Sequence, residues 1–142
     1  MKSTLFLRIA SVLTLIHAAL HTIGGVFGKP MPGAAQIAFT AMQSNHFLVM
    51  GLPRSYAEFY RGLGLGATIS MTLEGIVLWL LGSLAKTDAH RLRPVMGVFM
   101  AGWVAIAVNS YVYFFLPPVI AELLIVACLG MAILTAQPAP AA

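Results

Sequence analysis

VMGVFMAGWVAIAVNSYVYFFLPPVIAELLIVACLGMAIL, residues 95 to 134, contains one charged side chain, Glu122. It divides at FLPP, residues 115 to 118, into two apolar runs of roughly 94 to 115 and 118 to 136. Each run is close to the ~20 residues a helix needs to cross hydrocarbon. Pro117 and Pro118 cannot sit inside a helix without breaking it, but both suit the first turn of a new one. So short a link makes the two runs antiparallel neighbours.

Working outward, two more apolar runs appear at roughly 5 to 27 and 60 to 85. The whole chain of 142 residues is 60% apolar and only 8% charged, too few polar side chains to cover a soluble fold. The expectation is an all-α protein, a four-transmembrane-helix bundle in one membrane domain covering 1–136. The tail QPAPAA, 137–142, is of low complexity and is expected to be disordered. The first 25 residues also resemble a signal peptide, but Arg8 interrupts the apolar stretch and the run continues to Phe27, so a retained span is expected.

The net charge of +4 arises from bases near the ends of the runs, which fits topology and not a nucleic-acid partner. Lys2, Arg8, Lys86, Arg91 and Arg93 fall on one side, and Lys29, Arg54 and Arg61 on the other. The richer side is expected to be cytoplasmic, so both termini are inside. Tyr56, Phe59 and Tyr60 open the second span and Tyr111, Tyr113, Phe114 and Phe115 close the third, as an aromatic belt at the outer interface would. Cys128 is the only cysteine, which excludes an intramolecular disulfide and a thiolate metal cluster.

Pro30, Pro32 and Gly33 open the one long connection and Pro53 closes it. Over residues 34 to 50, Gln36, Thr40, Gln43 and Ser44 recur at steps of three or four, apart from Ile37, Ala41, Met42 and Val49. That pattern predicts an amphipathic helix lying in the membrane interface between spans one and two.

Polar residues inside the spans are the candidate site. His17 and His21 are one turn apart on span one, Arg61 enters span two, Asn109 approaches the end of span three, and Glu122 opens span four. Alternating the spans places them all in the outer half, which predicts an outward-facing polar pocket lined by His17, His21, Arg61, Asn109 and Glu122. A structural account is equally open: snorkelling of Arg61 and Asn109, helix-to-helix hydrogen bonds from the histidines, and Glu122 in the first turns of its helix. Glu74, near the middle of span two, is an intramembrane carboxyl group. It must be neutral or meet a base such as Arg8 or an imidazole.

RGLGLGATIS, 61 to 70, lacks the spacing and preceding strand of a nucleotide-binding loop. Gly62, Gly66 and Ser70 recur every four residues instead, a pattern that predicts close helix packing. His17 and His21 could offer half of a zinc site, but no full ligand set for zinc or haem is in view, so no metal and no cofactor are expected.

The segments LIHAALHTIGG, TAMQSNHFLVMGLPRSYAEFYRGLGLG and YVYFFLPPVIAELL, in this order, resemble a family of small, uncharacterised bacterial four-helix inner-membrane proteins. In shape alone the chain is also similar to DoxX-type proteins. The resemblance implies the fold and a bacterial inner-membrane location, and no activity.

The leading expectation for function is a non-enzymatic integral membrane protein that binds or passes a small molecule through the polar pocket. The rival is a membrane-embedded enzyme acting on a lipid or quinone, with His17 or His21 as general acid or base and Glu74 or Glu122 as a second carboxyl group. A third reading is a structural subunit, or a homo-oligomer, packed through Gly62 and Gly66. Bilayer lipid is a partner in all three. The topology is tested by Ser44→Cys in a Cys128→Ser background. An impermeant thiol reagent should label intact cells, and labelling only after the inner face is opened would reverse the orientation.

Overall fold

The computed structural model describes residues 2–138. The protein is 82% helical, and four of its five α-helices are long and apolar enough to cross a membrane. In chain order they are α1 (Lys2–Leu20), α2 (Ala34–Ser44), α3 (Tyr56–Asp88), α4 (Arg93–Tyr113) and α5 (Leu116–Leu134). A π-helical segment, His21–Val26, prolongs α1, and two short strands, β1 (His46–Val49) and β2 (Leu52–Ser55), precede α3. Prolines occupy the first turns of α4 and α5, where a missing N–H costs nothing. Of the tail, Gln137 accepts the His90 amide at 3.2 Å, and 139–142 lie outside the described residues.

The chain forms two compact units, one from the residues up to His17 and from Met71 onward, the other from Ala18–Ser70. In the first, α4 buries Met96, Trp103, Ala107 and Ser110, while α5 buries Val119, Glu122, Ile125, Leu129 and Ala132. These steps of three, four and seven draw one stripe on each helix, the seam along which antiparallel helices interlock. Glu122 lies in that stripe among apolar residues.

α1 meets α3 at small residues. The Ser11 hydroxyl donates to the Gly75 carbonyl at 2.6 Å. A Cβ at Gly75 would lie 2.7 Å from Leu15 Cδ2 and 3.4 Å from the Ser11 carbonyl oxygen, so a larger residue here requires the Leu15 side chain to shift. One end of the same contact is closed by Arg8, whose guanidinium carbon sits 4.5 Å above the Trp79 ring. Its stem packs against Gly82, where a Cβ would be 3.2 Å from Arg8 Cγ. The ring face attracts the cation and the stem covers apolar surface, while the buried Arg8 Nε has no hydrogen-bond partner among the described residues.

In the second unit the long connection is only partly helical. Helix α2 covers only Ala34–Ser44 of the residues 34 to 50 expected to be helical, and His46–Ser55 is an antiparallel hairpin pairing His46 with Ser55 and Val49 with Leu52. Asn45 stops the helix, its side-chain amide donating to the Ala41 carbonyl at 2.7 Å. The turn is Met50–Gly51, both at positive φ (49° and 85°), as a tight hairpin requires. Gly51 takes that conformation freely, whereas Met50 does so against its side chain. Ser55 then caps α3: its hydroxyl accepts the Glu58 amide at 3.2 Å, and the Glu58 carboxylate accepts the Ser55 amide at 2.7 Å. This reciprocal capping box fixes where α3 begins. Phe47 anchors the hairpin to it, with ring centroids 4.6 Å from Tyr56 and 5.8 Å from Phe59.

The glycines divide differently from the sequence pattern. Gly62, Gly66 and Ser70 are exposed, and a Cβ at either glycine would meet nothing within 4 Å. Close approach falls on Gly64, where a Cβ would be 3.0 Å from Val26 Cγ2, and on Gly75 and Gly82. Within the chain the close approaches are therefore at Gly64, Gly75 and Gly82, while Gly62, Gly66 and Ser70 lie on a face open to a neighbour outside it. Gly75→Leu should accordingly destabilise the protein in detergent by about 1–3 kcal/mol, the usual cost of overpacking, with Gly66→Leu near wild type. Equal melting temperatures for the two variants would contradict this packing.

Candidate functional site

The site is built on the buried stripes of α4 and α5. Glu122 is one turn and a half into α5 and 1% exposed. Ser110, in the last turn of α4, donates its hydroxyl to Glu122 Oε1 at 2.7 Å. The short link at Phe114–Phe115 brings these two positions to the same depth. From α1, His17 Nε2 lies 3.6 Å from the same carboxylate oxygen. That distance is an ion-pair contact when the imidazole is protonated, and is too long for a hydrogen bond.

Trp103, two turns before Ser110 on α4, completes the group. Its ring centroid is 6.0 Å from that of His17 in an edge-to-face arrangement, and it is 1% exposed. The packing holds the imidazole against one wall while the carboxylate lies at its Nε2. Below His17 on α1, buried Thr14 donates to the Ala10 carbonyl at 2.9 Å, so its hydroxyl is satisfied within its own helix. Two polar atoms of the group, Glu122 Oε2 and Trp103 Nε1, are buried without a hydrogen-bond partner among the described residues.

Chemically, this is a carboxyl and an imidazole sharing one enclosed volume. With one proton between them the pair is either neutral or an ion pair, and its net charge is zero in both forms. A second proton leaves one positive charge, and loss of the proton leaves one negative charge, each costly in a poor solvent. A single proton shared between them is therefore the state that leaves the pair without net charge.

Of the residues singled out from the sequence, the structure brings His17 and Glu122 together. Ser110 and Trp103 belong with them and were missed. Ser110 carried a signal, since it lies in the last turn before the link opposite Glu122, whereas nothing in the pattern marks Trp103. Asn109 is exposed on α4, because neighbouring Ser110 takes the buried position. Arg61 is exposed in the second unit.

His21 has its own partner there, the Gly64 carbonyl at 3.2 Å from Nε2. A carbonyl only accepts, so Nε2 carries the proton in that contact. Its neighbour Thr22 donates to the Ala18 carbonyl at 2.7 Å and lies 2.9 Å from the Thr68 hydroxyl. His21 begins the π-helical segment, a local widening that often marks functional positions in helices. Glu74 is half-buried on α3. Among the described residues no three His, Cys, Asp or Glu side chains gather as a metal site.

Compared with family models, curated proteins and solved structures, the chain matches none.

The Ser110 to Glu122 bond should emerge from a double-mutant cycle in detergent. Ser110→Ala and Glu122→Leu should show a coupling of about 1 kcal/mol, the scale of hydrogen bonds between membrane helices. Asn109→Ala should be uncoupled from Glu122→Leu. A coupling at Asn109 equal to that at Ser110 would overturn the assignment.

Proposed function

We propose that this chain is a multi-pass bacterial inner-membrane protein, with both termini cytoplasmic, that binds or passes a small molecule and holds an exchangeable proton at the His17 and Glu122 pair. Its resemblance to small four-helix inner-membrane proteins agrees with that location. In this reading α2 lies in the outer interface, since none of its side chains is buried within the chain. The exposed Ile37 would enter the lipid boundary.

One observation carries the functional reading. A carboxyl group, 1% exposed, is held by Ser110 and faced by an imidazole inside a chain with only 8% charged residues. Ionisable groups within spans are costly, and they mark proton relays and solute paths in membrane proteins. Packing alone does not call for this arrangement, because a buried ion pair replaced by well-fitted apolar side chains is often as stable or more so.

The same geometry supports a second reading, a membrane enzyme acting on a lipid or quinone. His17 with Glu122 at its Nε2 is an imidazole oriented by a carboxylate, the arrangement used for general acid and base catalysis. Reaction with a co-purifying lipid or quinone, abolished by His17→Ala, would favour it.

Infrared titration of the protein in lipid tests the proton reading. The wild type should show a protonated-carboxyl stretch that changes with pH, disappears in Glu122→Gln and shifts in His17→Ala. A band that persists in Glu122→Gln and ignores His17→Ala would leave the pair a packing element.

A further inference from the structure

The hairpin and the first turns of α3 enclose an open groove of about 670 Å3, wholly within the second unit. Val49 and Leu52 form one wall and Phe59 and Leu63, four apart on one helix face, the other. Gly62 lines it between them, and a Cβ there would meet nothing within 4 Å, so the missing side chain keeps the groove open. Arg54 and Glu58 supply the charge. Both are exposed, and both are held by local structure: Arg54 Nη1 donates to the Pro53 carbonyl at 2.8 Å, and Glu58 accepts the Ser55 amide in the capping box.

We propose that this groove binds a phospholipid whose headgroup carries both a phosphate and an ammonium group, as in phosphatidylethanolamine. Charge complementarity selects it. A guanidinium pairs with a phosphate through parallel N–H donors, of which Arg54 uses only part on Pro53. A carboxylate on the same groove suits the ammonium of that headgroup and repels a purely anionic one. The apolar walls suit the start of an acyl chain, and the volume lies within the usual range for ligand pockets. Position agrees as well. The groove lies at the beginning of a membrane-crossing helix, flanked by Tyr56 and Tyr60, where headgroups meet hydrocarbon. This site is separate from the His17 and Glu122 pair and does not depend on its function.

The test is native mass spectrometry of the full chain in mild detergent, offered equal amounts of phosphatidylethanolamine and phosphatidylglycerol. The wild type should retain phosphatidylethanolamine in preference. Arg54→Gln should lower that retention by about tenfold, the equivalent of about 1.4 kcal/mol for a lost charge-assisted contact. Gly62→Leu, which has room for its side chain, should lower retention as far while melting like the wild type. Glu58→Gln preserves the capping geometry and should erase the preference between the two lipids. His17→Ala should bind as the wild type does. Equal retention of the two lipids, a preference for phosphatidylglycerol, or Arg54 and Gly62 variants that bind normally would each overturn the proposal.

Discussion

The rest of the structure depends on one constraint. In hydrocarbon, where water is absent, a polar group without a partner costs several kcal/mol. The backbone answers by forming helices from end to end of each apolar run. Side chains answer case by case. Ser11 takes the Gly75 carbonyl, Thr14 the carbonyl one turn before it, Ser110 the Glu122 carboxylate, and Arg8 the face of Trp79. Two of these contacts also determine geometry. The Ser11 bond brings the α1 backbone to 3.4 Å from where a Gly75 Cβ would be, and the Ser110 bond needs α4 and α5 in register, which two residues of link and two prolines provide.

The helices were legible because a bilayer imposes a length and a composition that no other environment does. Glu122 and His17 were legible for the converse reason, as ionisable residues in runs that otherwise exclude them. The hairpin was not legible. Its strands are four residues each, its turn begins with Met50 instead of asparagine or aspartate, and its apolar residues continue the helical pattern from Ala34. One local signal was present and unused. Ser55 and Glu58 stand three apart just before an apolar run, which marks a helix start four residues earlier than hydropathy does.

Membership of the site was legible only in part, because depth along a helix and direction around it are different quantities. Alternating the spans gives depth, and on that measure Asn109 and Ser110 are equivalent. They differ by 100° around the helix axis, and that rotation puts Ser110 on the buried stripe with Trp103 and Ala107 and Asn109 on the exposed face. His17 and His21 differ in another way. They lie about 6 Å apart along the axis, enough for one imidazole to meet a carboxylate and the other a backbone carbonyl.

That difference in partner separates two kinds of histidine. A carbonyl can only accept, so the Gly64 contact holds His21 Nε2 as a donor in both the neutral and the charged ring, and gaining a proton at Nδ1 does not break it. A carboxylate can accept or, once protonated, donate. The His17 contact, at 3.6 Å, can therefore accommodate the proton on either partner. Ser110 donates to the same Glu122 oxygen that faces His17, so that oxygen has one donor fixed at 2.7 Å and a ring nitrogen at 3.6 Å. One carboxyl oxygen placed between a hydroxyl donor and an imidazole, more than burial alone, distinguishes Glu122 from a group that merely fills the core.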